Sequence, residues 1–121
     1  MSRFQHILVV DKEPEIGAIL RTVLETIGYR TSVATGDAEA RSILLLDPVD
    51  LLVADVGLKS NAGIAMANHV GKLGIPCLLI SADVERMETL QAGHHRFIAK
   101  PFRLAQFTEL VVGLLANKSK G

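Results

Sequence analysis

Tryptophan is absent from the chain, tyrosine occurs once and phenylalanine four times. A core so poor in aromatic rings has to be filled by aliphatic side chains, and apolar residues do make up 49% of the 121 positions. Cysteine also occurs once, which excludes an intrachain disulfide framework. Cys77, inside Pro76-Cys77-Leu78-Leu79-Ile80, reads as a packing thiol with no base beside it to make it a nucleophile. Net charge is missing as well: 13 basic residues balance 13 acidic ones, so the chain has no basic field of the kind that nucleic-acid or anionic-membrane binding uses. No apolar run is long enough to span a bilayer, and the start Met1-Ser2-Arg3-Phe4-Gln5-His6 carries no cleavage-site pattern, so the expected location is the cytoplasm. One domain, residues 1–121, is expected, with an ordered core from about residue 5 to 116 and a polar tail over 117–121 that frays.

What is present alternates between short apolar runs and helical periodicity. Ile7 to Val10 reads as a strand that stops at Asp11. Glu13-Pro14 then opens a helix with Ile16, Ile19, Leu20, Val23, Leu24 and Ile27 on its apolar face, closed by Gly28. Tyr29 to Ala34 is a second strand. A second helix follows, with Asp37 as its N-cap and Ala38, Ala40 and the Ile43–Leu46 cluster on its buried side, before Asp47-Pro48 stops it.

Leu51-Leu52-Val53-Ala54-Asp55-Val56-Gly57 is a third strand, apolar on both faces, running into a carboxylate. Gly63 to Leu73 reads as a helix, Ile75 to Ile80 as a strand ending at Ser81, and about Val84 to Gln91 as a short helix before Gly93. Arg96-Phe97-Ile98-Ala99 is a fifth strand ending at Lys100-Pro101. The last helix has Leu104, Phe107, Val111, Leu114 and Leu115 on one side. Five strands alternating with five helices predict an α/β fold: a doubly wound parallel sheet with helices on both faces.

The polar residues fall at strand ends: Asp11 after the first, Asp55 after the third, Ser81 after the fourth and Lys100 after the fifth. In a doubly wound sheet these ends share one crevice. Two carboxylates, a hydroxyl and an ammonium suit a chemistry in which a carboxylate attacks phosphorus while a cation and a hydroxyl stabilise the phosphoryl oxygens. Any one of the four alone would more often be a strand cap; their joint placement argues for a site.

Ile7-Leu8-Val9-Val10-Asp11 with Glu13-Pro14, Asp55 with Gly63 eight residues on, Ser81-Ala82, Ala92-Gly93 and Phe97-Ile98-Ala99-Lys100-Pro101-Phe102 stand in the order and spacing of one family. The sequence resembles the response-regulator receiver domains of bacterial two-component signalling. The resemblance implies a flavodoxin-like (βα)5 fold with strand order 2-1-3-4-5, and makes Asp55 the acceptor of a phosphoryl group from a histidine kinase or phosphotransfer protein. It implies that Ser81 and Lys100 contact the phosphoryl oxygens, that Ser81 and Phe97 switch together, and that catalysis goes no further than self-catalysed transfer to Asp55 and hydrolysis from it. The family's magnesium ion would be held by Asp11, Asp55 and the backbone carbonyl of Gly57. Its output surface, for a downstream protein or a homodimer, would be the fourth helix, fifth strand and fifth helix, with some combination of Val84, Met87, Gln91, Arg96, Phe97 and Phe107, most of the apolar ones among them also reading as core. Neither nucleic acid nor membrane is expected as a partner.

The match breaks at Lys12, where the family carries a second acid that ligates the ion. A ligand replaced by a cation predicts a weak or absent magnesium site. Two readings follow: Lys12 approaches Asp55 as a surrogate cation, or it swings to solvent and Asp11, Asp55 and Glu13 keep a weak ion. Glu13 also reads as an acid favourable to the helix dipole. Lys59 stands where the family commonly has proline, so the loop after Asp55 is expected to be looser. His94-His95 read as loop residues, and His69 and His6 as isolated side chains without chemistry.

The functional expectation is a stand-alone receiver without an output domain. The alternative is a pseudo-receiver interaction module in which Lys12 replaces the ion and phosphorylation plays no part. A flavin-binding enzyme on the same fold is disfavoured, because Lys12-Glu13-Pro14 offers no phosphate-cradling loop.

Overall fold

Strict alternation along the strands decides which helices each side chain meets. The computed structural model describes residues 4–56, 62–82 and 96–120. Five strands, β1 (His6–Val10), β2 (Arg30–Ala34), β3 (Leu51–Asp55), β4 (Cys77–Ser81) and β5 (Arg96–Ala99), form one parallel sheet in the order β2-β1-β3-β4-β5. Four helices are described: α1 (Pro14–Thr26), α2 (Asp37–Leu46), α3 (Ala62–Lys72) and α4 (Leu104–Lys120). The expected helix at Val84–Gln91 and the cap at Gly93 lie outside the described residues.

Ile7, Val9, Leu51, Val53, Leu78, Ile80 and Ile98 point to one side, where Leu20 and Leu24 of α1 and Phe107, Val111 and Leu115 of α4 cover them. Leu8, Leu52, Ala54, Cys77 and Leu79 point to the other and meet Ala40 of α2 and Ile64, Met66, Ala67 and Val70 of α3. This is the two-layered cover that a parallel sheet requires, and it explains why β3 and β4 are apolar on both faces. Cys77 is buried, its Sγ directed at the Ala67 carbonyl, and burial pushes its thiol up to about 12, as suits a packing thiol.

Several elements differ from expectation in detail. On α1 the buried stripe is Gly17, Leu20 and Leu24, while Ile16, Ile19 and Ile27 are exposed. Gly17 explains the rotation: a Cβ there would lie 2.6 Å from Val33 Cγ1, so the helix touches β2 along its glycine and the isoleucines flank the seam. On α2, Leu45 and Leu46 are 86% and 83% exposed, because the helix rests on the sheet through Ala40 with Ile43 and Leu44 half-buried beside it. Gly36, not Asp37, is the N-cap; Asp37 sits in the first turn and pairs with Arg41. β4 starts at Cys77 rather than Ile75, since Pro76 has no amide to give to the ladder and contributes its carbonyl to Leu52 N–H instead. Leu104 is exposed, and α4 remains helical through Lys120, past the expected fraying point, with no proline to stop it. Gly28 and Gly74 take positive φ, 106° and 81°, and turn the chain out of α1 and α3.

Candidate functional site at the C-terminal sheet edge

Parallel register carries four polar residues to one edge. Val10 pairs with Ala54, Asp55 with Ile80 and Ser81 with Ala99, so the residues that end or follow β1, β3, β4 and β5 stand side by side. Three backbone hydrogen bonds extend the ladder to this edge: Asp11 N–H donates to Ala34 O, Val56 N–H to Ile80 O, and Lys100 N–H to Ser81 O. The sheet therefore holds Asp11, Asp55, Ser81 and Lys100 together, as their positions in the sequence predicted.

Asp55 is the last residue of β3 and its side chain is 12% exposed. Lys100, just beyond β5, reaches across β4 and places Nζ 3.0 Å from Asp55 Oδ1. Two strand spacings amount to about 10 Å, a gap that a lysine stem can cover. Ser81, buried between them on β4, occupies the intervening strand end. The cation on Asp55 is thus Lys100; Lys12 is exposed and, among the described residues, makes no ion pair.

Asp11 is 2% exposed. Its Oδ1 accepts a hydrogen bond from Glu13 N–H at 2.8 Å, which closes the turn into α1, while its buried Oδ2 has no hydrogen-bond partner among the described residues. Burial pushes the Asp11 carboxyl up from the ordinary value. The Glu13 amide opposes this, the Asp55 charge adds to it, Lys100 opposes it and Glu13 adds to it. The action of the Asp55 charge on Asp11 marks the two as neighbours at the edge.

Among the described residues, the donors present do not fit a resident magnesium ion. The unpartnered Asp11 Oδ2 would welcome a cation, but Asp55 already carries an ammonium, and the residue after Asp11 is a lysine. Among the described residues no group of three or more His, Cys, Asp or Glu side chains could hold a metal ion. Gly57, expected to offer its carbonyl, lies outside the described residues, as do Lys59, Val84, Met87, Gln91, His94 and His95.

Phe97 is half-buried in the core on the α2 and α3 side of the sheet, in register with Leu79. Phe107, on the apolar side of α4, is fully buried in the core, where it meets Phe102 with ring centroids 5.8 Å apart. His6, expected to be an isolated side chain, is a buried tie between three segments. Its backbone N–H donates to Asp50 Oδ2, Nδ1 faces the Pro48 carbonyl at 2.8 Å and Nε2 faces Ser32 Oγ at 2.7 Å. The carbonyl can only accept, so Nδ1 carries the proton and Nε2 accepts from the serine hydroxyl when the ring is neutral. Its place at a strand start was the only signal in the sequence, and its partners lie 26 to 44 residues away.

Comparison with known proteins agrees with this fold. Residues 7–112 match the model of the response regulator receiver domain. The probable transcriptional regulator ycf27 of Cyanidium caldarium is 33% identical over 104 residues, covering 83% of this chain and 42% of that protein. The chain spans about half the length of the curated relatives it matches. A CheY-like receiver domain from Methanospirillum hungatei superposes with a TM-score of 0.84 at 22% identity, covering 98% of both chains. The response regulator TrrA of Thermotoga maritima, determined in complex with Mg2+ and BeF, gives a TM-score of 0.80 at 25% identity, covering 92% of this chain and 99% of that one. The family match over residues 7–112, with the 2-1-3-4-5 sheet beneath it, means that this chain belongs to the response regulator receiver domains.

Proposed function

We propose that Asp55 accepts a phosphoryl group from a histidine kinase or phosphotransfer protein and that the chain relays the signal by protein contact. The observation that carries this reading is the Asp55 carboxylate at the end of β3, 12% exposed and held 3.0 Å from Lys100 Nζ, with Ser81 on the strand between. A carboxylate oxygen attacks phosphorus, the bond from phosphorus to the donor nitrogen breaks, and the imidazole leaves. Lys100 offsets the charge that gathers on the phosphoryl oxygens and the Ser81 hydroxyl donates to one of them. The Thermotoga maritima response regulator, which shares this fold, was determined in complex with Mg2+ and BeF.

The contact surface we assign is the β5 and α4 side. An open groove of about 360 Å³ lies there, lined by Arg96, Gln106, Glu109, Leu110, Gly113 and Leu114. Lys100, ion-paired with Asp55, directly follows β5, which begins at Arg96, so a change at Asp55 can reach the groove through that ion pair and the β5 backbone. Phosphorylation then shifts the population toward whichever arrangement binds the phosphoryl group better. No helix of the described residues is long and apolar enough to cross a membrane, and we place the relay in the cytoplasm.

The test is incubation with an acyl phosphate and separately with a histidine kinase, followed by intact-mass measurement. The expected result is one added phosphoryl group, absent in Asp55→Asn. A chain that stays unmodified with both donors but still binds its partner would instead be the phosphorylation-independent module.

A further inference from the structure

The residues at the sheet edge disagree with the magnesium ion that the family implies, and this disagreement points to a different source of positive charge. We infer that Lys12 and Lys100 together take the place of the divalent ion, so that Asp55 is phosphorylated by acyl phosphates without any metal. The inference rests on Asp55 being the phosphoacceptor.

The argument is one of charge and reach. A phosphoryl group brings roughly −1.5 to −2 charges. It would arrive at an edge where Asp11 is already buried with one oxygen unpartnered among the described residues. An acid at position 12 would make the edge still more negative, and a divalent ion would then be needed to neutralise it. Lysine there reverses the sign. Lys100 is already on Asp55 at 3.0 Å, and Lys12, next to Asp11, is exposed and, among the described residues, unpaired, so its flexible stem is unoccupied when the anion arrives. Lys100 holds the acceptor in the resting state and Lys12 meets the incoming phosphoryl oxygens. In the step itself an Asp55 oxygen bonds to phosphorus, the phosphorus–oxygen bond to the acyl group breaks, and the carboxylate leaves with the bonding pair.

The experiment measures the initial rate of acetyl phosphate labelling by intact mass, once in EDTA and once in magnesium, for the full chain. The wild-type rate in EDTA is expected within about threefold of the rate in magnesium. Lys12→Ala should lower the EDTA rate tenfold or more, Lys12→Arg should retain it, and Lys12→Asp should label only when magnesium is supplied and should bind magnesium more tightly in titration. Wild-type labelling that requires magnesium, or EDTA labelling unchanged in Lys12→Ala, would overturn the inference and leave the phosphoacceptor assignment standing. No labelling under either condition, from acetyl phosphate or kinase, would overturn both. Asp55→Asn, unlabelled throughout, fixes the site of the adduct.

Discussion

Removing the Lys100 ammonium tests whether the ion pair with Asp55 contributes to the fold as well as to the chemistry. At 3.0 Å the pair's gross attraction is about 5.5 kcal/mol at an effective dielectric of 20. Two corrections reduce it. The Lys100 side chain is 40% exposed, so water screens the pair, and burying Asp55 to 12% exposure costs desolvation that the attraction has to offset. A net contribution of about 1–2 kcal/mol remains, between the values for a surface pair and a fully buried one. Lys100→Ala should therefore lower the urea midpoint by about 0.5–1.5 M, taking an ordinary urea slope for a domain of this size. The decisive measurement is the double-mutant cycle. In an Asp55→Asn background the same lysine replacement should cost less than about 0.5 kcal/mol, because its partner is gone. An equal loss in both backgrounds would refute the pair as the source and assign the effect to the packing of the lysine stem.

Gly17→Ala should destabilise by about 1–2 kcal/mol: the new methyl meets stiff Val33 Cγ1 at 2.6 Å, which outweighs the better helix propensity of alanine, and Val33→Ala should relieve most of the loss in equilibrium unfolding. His6→Ala should cost about 3–4 kcal/mol, since it leaves a cavity and strips partners from the Pro48 carbonyl and Ser32 hydroxyl; a loss under about 1 kcal/mol in urea unfolding would refute the tie. Asp11→Asn should alter the pH dependence. The folded-state value of Asp11 is raised above 3.8, chiefly by burial, so the folded protein holds this proton more tightly than the unfolded chain does. Wild-type stability therefore loses Asp11's contribution as pH rises through the interval between the two values, and Asp11→Asn removes that loss. Urea titrations across the acidic range should show the stability difference moving in favour of the asparagine variant as pH rises; parallel curves would contradict the assignment.

The two-sided burial of β3 and the shared edge of Asp11, Asp55, Ser81 and Lys100 were legible in the order of residues, while the strand order came with the family resemblance. An apolar run ending in a polar residue states both where a strand is and where it stops, and right-handed parallel crossovers then leave few ways to arrange the ends. Lys12 was legible too, as the position at which an acid of the family pattern is replaced by a cation. Periodicity could not tell the contacting stripe of α1 from its flanks, because Ile16, Ile19 and Ile27 are as apolar as Leu20 and Leu24. The close approach of Gly17 to Val33, a matter of backbone distance, decided between them. The same holds for Leu45 and Leu46, left exposed at the end of a helix that meets the sheet through a small alanine. His6 acquires its role from Ser32, Pro48 and Asp50, partners that only the assembled sheet brings to it. At the edge itself, the sequence determined which groups are present, but which lysine holds Asp55 depended on the spacing of β3, β4 and β5. A side chain's partner is chosen by distance in three dimensions, and there Lys100, forty-five positions from Asp55 along the chain, lies two strands away from it.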